Sequence, residues 1–328
     1  MSETIVAVDI GGTHARFALA EVGQGRVVSL GQSITLKTAE HASLQTAWED
    51  FGRQIVQPLP RAAAIAIAGP IRGEVLKLTN NPWIIRPALI EEKLNVDRFA
   101  LVNDFEAVGH AVAQCDAEHF LHLTGPDMPL PADGTISIIG PGTGLGVAHV
   151  WRQANSYHVQ ATEGGHVDFA PLDVIDDALL KALRERYRRV SVERVVAGPA
   201  LNDIYATLAA IEGRAVMAMD NKALWALAMD GSDSVAAAAA DRFCMALGSV
   251  AGDIALAQGG SGVVIAGGLG LRIKDILVRS GFATRFRAKG RFEELMASLP
   301  VKLITHPEPG LFGAAAAFAR SHSNGSHT

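Results

Sequence analysis

Asp9, Gly11, Gly12 and Thr13 put an acid, two glycines and a hydroxyl within five positions of the otherwise apolar run VAVDIGGTHARFALAEV at 6–22. Glycine lets backbone approach a ligand closely, and successive N–H groups beside a threonine hydroxyl form a concave set of donors suited to phosphate oxygens. A second such set lies in GPGTGLG at 140–146, where Gly140, Gly142, Thr143, Gly144 and Gly146 surround a turn whose entrance Pro141 stiffens. Asp9 would repel a phosphate directly; it fits if a hydrated Mg²⁺ lies between the two anions. Together the turns point to a metal-nucleotide site, although either one alone reads equally well as an ordinary hairpin. Neither G-x-x-x-x-G-K-[ST] nor G-x-G-x-x-G occurs at these positions, so P-loop and Rossmann readings lose support.

Strands must carry such turns, and the sequence supplies them. AAAIAIAGP (62–70), FALVND (99–104), TISIIG (135–140) and SGVVIAGG (261–268) are β-rich runs ending in turn chemistry, while 106–114, 173–189 and 234–258 have helical spacing. This alternation predicts an α/β fold. Sliding the chain by 130 residues sets VAVDIGGTHARFAL over ISIIGPGTGLGVAH, aligning Gly12 with Gly142, Thr13 with Thr143 and Ala18 with Ala148. That repeat predicts two similar hairpins facing each other across a cleft.

Composition sets further bounds. A chain of 328 residues, 49% apolar, favours two domains over one. The net charge of −5 argues against a sequence-independent grip on nucleic acid. Cys115 and Cys244 stand far apart in apolar surroundings, which predicts no disulfide framework and no structural zinc. The start MSET has no signal-peptide pattern, and the apolar stretch 234–258 carries Asp241, Arg242 and Asp253, so it reads as a buried helix with no membrane partner. A cytoplasmic location is expected, and SHSNGSHT at 321–328 reads as a disordered tail.

Six ordered motifs, DIGGTHARFALA (9–20), LVNDFEAV (101–108), GPGTGLGVAHV (140–150), EGGHVDFAP (163–171), SVERVVAGPAL (191–201) and IAGGLGLRI (265–273), closely resemble those of the bacterial glucokinases within the sugar kinase and actin-like ATPase superfamily. The resemblance runs from Asp9 to PGLFGAAAAF at 309–318. It implies a two-lobed actin-like ATPase (ribonuclease H-like) fold with a cleft. The small α/β domain would span 1–114, rejoined by a C-terminal helix at 304–320, and the large domain 115–303. It further implies ATP, Mg²⁺ and glucose as ligands, transfer of phosphate to the glucose 6-hydroxyl, and a homodimer. No cysteine lies between 116 and 243, which sets aside the related kinases with a zinc-binding cysteine cluster. Two alternatives stay open: a kinase of another hexose, and a sugar- and ATP-binding regulator without catalysis.

Within that resemblance Asp104 is the candidate base. It follows a strand and precedes a helix, where a carboxylate can orient the attacking hydroxyl and accept its proton. Read alone, it fits a helix N-cap better than a base. Asn103 offers a donor and an acceptor to a sugar hydroxyl. In EGGH the glycines would bring Glu163 and His166 to one ligand, and Glu193 adds a further acceptor; the resemblance carries His166 and Glu193 into the sugar site. Each buried acceptor left unpaired costs about 1–3 kcal/mol, the physical basis of selection for one hexose. Gly267 and Gly268 would let adenosine lie against backbone. Asp9 would hold Mg²⁺ through water, Gly11, Gly12, Thr13, Gly142, Thr143 and Gly144 the phosphates, and Asn80 and Trp83 secondary contacts.

Overall fold

The computed structural model describes residues 2–323 apart from 79, 155, 217 and 218. The chain forms two compact units: Met1–Asp116 with Val159–Ala161 and His306–Thr328, and Ala117–His158 with Thr162–Thr305.

In the first unit, strands β1 (Glu3–Ile10), β2 (His14–Gly23), β3 (Arg26–Leu30), β4 (Ile34–Lys37) and β5 (Ala62–Ile67) precede a short ribbon, β6 (Leu76–Lys77) and β7 (Ile84–Ile85), and β8 (Arg98–Asn103). Helices α1 (Leu44–Gln54), α2 (Ile90–Leu94) and α3 (Asp104–Gln114) come from the same stretch. The sheet order is β3-β2-β1-β5-β8, with β4 also paired to β2. β1 runs antiparallel to β2 and parallel to β5, which runs parallel to β8.

Successive residues of β1 point to opposite faces. Val6, Val8 and Ile10 join Phe17, Trp48 and Phe51 in one core, and Ile5 and Ala7 join Ala18, Leu311 and Phe318 in another. Both faces are covered, so the strands read as unbroken apolar runs rather than alternating ones.

The second sheet takes β9 (Phe120–Thr124), β10 (Gly134–Pro141), β11 (Leu145–Gln153), β12 (Ser156–Thr162), β13 (Gly260–Ile265) and β14 (Val301–Ile304), in the order β12-β11-β10-β13-β14-β9. The second unit's helices are α4 (Val174–Arg184), α5 (Ala200–Ile211), α6 (Asn221–Asp230), α7 (Ser234–Ala257), α8 (Gly267–Arg272), α9 (Lys274–Arg279), α10 (Phe282–Arg287) and α11 (Glu293–Ala297). α7 is long and apolar enough to cross a bilayer by composition, yet 72% of its apolar window is buried within the chain. The last helix, α12 (Pro309–Ser323), belongs to the first unit. It takes in residues 321–323, which the sequence assigned to a disordered tail; 324–328 lie outside the described residues.

The internal repeat is a repeat of topology. Three antiparallel strands followed by two parallel ones, β3-β2-β1-β5-β8, recur as β12-β11-β10-β13-β14, with β9 as an added edge. The single shift of 130 fails after the turn, because Ile10 pairs with Ala15 across a four-residue tip while Pro141 pairs with Leu145 across three. Ala18 stands opposite Ala7, but Ser137, at the position equivalent to Ala7, stands opposite His149. The Ala18/Ala148 identity is therefore not a structural equivalence, whereas Gly12/Gly142 and Thr13/Thr143 both fall within the tips.

Candidate active site

In the first tip the Gly11 N–H donates to His14 O at 2.9 Å and so closes the turn. The N–H groups of Gly12 and Thr13 have no acceptor among the described residues. These two donors and the exposed Thr13 leave hydrogen-bonding capacity at the tip, of the kind a phosphate oxygen could use. Neither Gly11 nor Gly12 has positive φ, so the turn itself does not demand glycine there.

Behind this tip, burial outweighs the field of Arg16 and pushes the Asp9 carboxyl up from 3.8 to about 6, with Asp104 and Glu308 adding to the rise. Arg16 Nη1 lies 3.6 Å from Asp9, and Arg16 Nε lies 3.5 Å from Glu308, which also accepts from Ser33 Oγ at 2.8 Å. Gly310, in the first turn of α12, leaves the Asp9 carboxylate its space: a Cβ there would sit 2.5 Å from Asp9 Oδ2. Two carboxylates, Asp9 and Glu308, face the Arg16 guanidinium, and the charge of Asp104 also reaches Asp9; these hard oxygen donors suit Mg²⁺. No group of three or more His, Cys, Asp or Glu side chains is arranged to hold a metal among the described residues. The fit is therefore to a cation brought in on phosphates and met by one carboxylate through water, as Mg²⁺ prefers.

Asp104 opens α3 directly after β8. The N-cap is its neighbour: Asn103 Oδ1 accepts from the N–H groups of Phe105 and Glu106 at 2.9 and 3.2 Å, and Asn103 Nδ2 donates to Gly69 O at 3.0 Å. The capping duty that competed with catalysis for Asp104 thus falls to Asn103. Asp104 Oδ1 accepts from the Phe105 N–H at 3.0 Å, which fixes its direction. Asn103 correspondingly has less capacity for a sugar hydroxyl than its side chain alone promised.

In the second unit, the tip after β10 is closed by Gly142 N–H donating to Gly144 O at 2.8 Å, and the N–H groups of Thr143 and Gly144 have no acceptor among the described residues. Leu145 joins this tip to two other motifs. Its N–H donates to Glu193 Oε2 at 2.9 Å, and its carbonyl lies 2.3 Å from where a Cβ on Gly165 would stand. EGGH forms a turn at Gly164–His166 packed on β11, with Glu163 Oε2 and His166 Nε2 3.9 Å apart and both side chains largely exposed. The glycines do bring Glu163 and His166 together, by letting the turn lie flat on the strand. Glu193 sits in the short helix Val192–Arg194, where the sequence allowed a helix-start role; its carboxylate reaches instead to the tip.

Gly267 has φ +81, and a Cβ on it would meet Pro141 O at 2.8 Å, so this residue is required by backbone conformation and by the tip it packs against. Around Gly268 the Cβ position is open. Trp83 is 2% exposed and donates its indole N–H to His41 O, which makes it a core residue rather than a ligand contact. Asn80 is exposed at φ 55. The side chain reaching the first tip from that segment is Asn81, which sequence reasoning missed along with Thr38, Arg16, Glu308, Gly310 and Gly198. Five act through contacts distant in sequence, and Arg16 also faces Asp9 directly across the first hairpin; TNN beside a conspicuous tryptophan offered a further local signal. Both thiols are pushed up to about 12 by burial, which leaves them chemically quiet, and neither forms a disulfide.

The family model described as Glucokinase matches residues 6–321. A curated glucokinase of Zymomonas mobilis is 61% identical over 319 residues, covering 97% of this chain and 98% of the relative. Among solved structures, a glucokinase from an Antarctic psychrotroph superposes with TM-score 0.83 at 33% identity, covering 95% of this chain and 98% of that one. A ROK family glucokinase from Streptomyces griseus, in complex with glucose and AMPPNP, shares the fold at TM-score 0.59 and 20% identity, covering 95% and 98% of the two chains. The architecture is the actin-like ATPase fold of these sugar kinases, and the chain belongs to the glucokinase family.

Proposed function

We propose that the protein transfers the γ-phosphoryl group of ATP to the 6-hydroxyl of glucose, giving glucose 6-phosphate and ADP. The observation that carries this reading is the first unit's combination of Asp104, oriented at the end of β8, with the acceptor-free N–H groups of Gly12 and Thr13 and the carboxylate of Asp9. Phosphoryl transfer needs those parts: a carboxylate to orient and deprotonate the attacking hydroxyl, and donors to position the phosphates. Family membership supports glucose as acceptor and ATP as donor.

Asp104 takes the hydroxyl proton as the new P–O bond forms, and placement matters more than basicity in this role. Glu163, His166 and Glu193 contact the sugar hydroxyls, and Asn103 has one amide hydrogen beyond its bond to Gly69 for the same purpose. Thr143 and Gly144 add phosphate donors, and Gly268 gives adenosine room against backbone. Asp9 would hold Mg²⁺ through water, and the ion would supply charge neutralisation for the phosphates. Homodimerisation and a cytoplasmic location belong to the same proposal; the first rests on the family resemblance and is tested by sedimentation of the purified chain, the second on the two unpaired cysteines.

The functional test is a coupled assay of glucose 6-phosphate formation with Mg-ATP, a panel of hexoses, and Asp104→Ala beside the unmodified protein. Turnover on glucose that the variant loses supports the assignment. Faster turnover on another hexose replaces the substrate, and a folded protein that binds glucose without turnover replaces the activity with sensing.

A further inference from the structure

The first tip is held from behind by two side chains that no motif marks. Gly11 O accepts from Asn81 Nδ2 at 2.9 Å, Gly12 O from Thr38 Oγ1 at 3.1 Å, and Thr13 O from Thr38 N at 3.0 Å. The peptide unit is planar and trans, so each carbonyl fixes the opposite direction for the N–H of the next residue. Anchoring Gly11 O therefore aims the Gly12 N–H away from Asn81, and anchoring Gly12 O aims the Thr13 N–H away from Thr38. These are the two tip donors without an acceptor among the described residues. The anchors are themselves tied together, since Asn81 Oδ1 accepts from Trp83 N at 2.9 Å and Trp83 Nε1 donates to His41 O at 2.9 Å, three residues beyond Thr38. Thr38 is 2% exposed and touches no solvent-facing ligand position itself.

We infer that Thr38 and Asn81 are positioning residues for the nucleotide's phosphates: by clamping successive carbonyls of the Gly11–Thr13 tip, they pre-orient its N–H donors before any phosphate arrives. This rests on the kinase reading of the same tip. Glycine gives that tip no conformational preference of its own, so the clamp supplies the order that binding would otherwise have to impose.

The test measures ADP affinity and glucose affinity separately, by calorimetry on the full-length protein, together with its thermal midpoint. Thr38→Val removes one hydroxyl donor at nearly constant volume. It should weaken ADP about three- to tenfold, the scale of one hydrogen bond, while glucose affinity changes less than about twofold. Thr38→Ser should restore ADP binding, and Thr38→Val combined with Asn81→Ala should weaken it beyond either change alone. Unaltered ADP affinity in the double variant overturns the inference, as does parallel weakening of glucose or failure of Thr38→Ser to rescue. An unmodified protein that binds no ADP instead overturns the nucleotide reading beneath it, a separate outcome.

Discussion

The two hairpin tips share a topology and differ in how they are braced. Side chains hold the first: Asn81 and Thr38 on its carbonyls, with Arg16 and Glu308 behind its acid. Backbone holds the second: Gly198 N donates to Gly142 O at 2.8 Å, and glycines at 144, 165 and 267 let neighbouring chain close in. Among the described residues its side-chain brace is Glu193 on Leu145 N. The first tip is thus weakened by taking atoms away, the second chiefly by adding them.

The largest expected effect separates chemistry from bracing. Asp104→Asn keeps an acceptor for the Phe105 N–H but loses the base, so kcat should fall by about 10²–10⁴-fold with glucose affinity held within about tenfold. Equal losses in both would make Asp104 another brace. Next come added atoms at the second tip. Gly165→Ala forces a methyl to within 2.3 Å of Leu145 O, backbone that cannot swing aside, and should cost roughly 1–3 kcal/mol in denaturant unfolding. Gly144→Ala meets the Glu193 carboxylate at 2.6 Å, and its expected signature is a raised KM for glucose.

The acid of the first tip has the opposite sign. Because burial lifts the Asp9 carboxyl from 3.8 to about 6, the folded chain binds that proton more tightly than the unfolded chain. Stability then falls as pH rises through that interval, and the cost is complete above it. Asp9→Asn should accordingly stabilise the ligand-free protein by roughly 1–3 kcal/mol at pH 7.5 while depressing turnover, with the gain gone below about pH 4. A variant less stable than the parent at pH 7.5 would show that Arg16 outweighs desolvation. The smallest effect is at Gly268, where a Cβ meets nothing within 4 Å. Gly268→Ala should leave stability within about 0.5 kcal/mol, and a fall in ADP affinity would place the nucleoside there.

The fold was legible wherever chemistry is local. The β-rich runs became β5, β8, β10 and β13, and the Gly-Thr turns became hairpin tips. EGGH became a flat turn that brings Glu163 to His166 because both of its glycines face β11. Legibility ended where a residue's role depends on a distant partner. Nothing near Thr38 or Asn81 announces that they meet residues 11–13, and Glu193 gave no hint of Leu145, 48 positions away. The sequence offered the capping role to Asp104, and the geometry assigns it to Asn103, one residue earlier. The register slip at Ala148 was invisible because tips of three and four residues look alike in sequence.

The return of α12 to the first unit also orders the making of the protein. Leu311, Ala314, Ala315 and Phe318 complete the core beside β1 and β5, and α12 packs so closely on α3 that a Cβ on Gly313 would lie 1.7 Å from Ala107 O. A ribosome delivers these residues after the whole second unit, so a nascent chain stalled before Pro309 leaves one face of the first sheet bare and Asp9 without Gly310 at its side. Proteases and chaperones would meet that exposed face first.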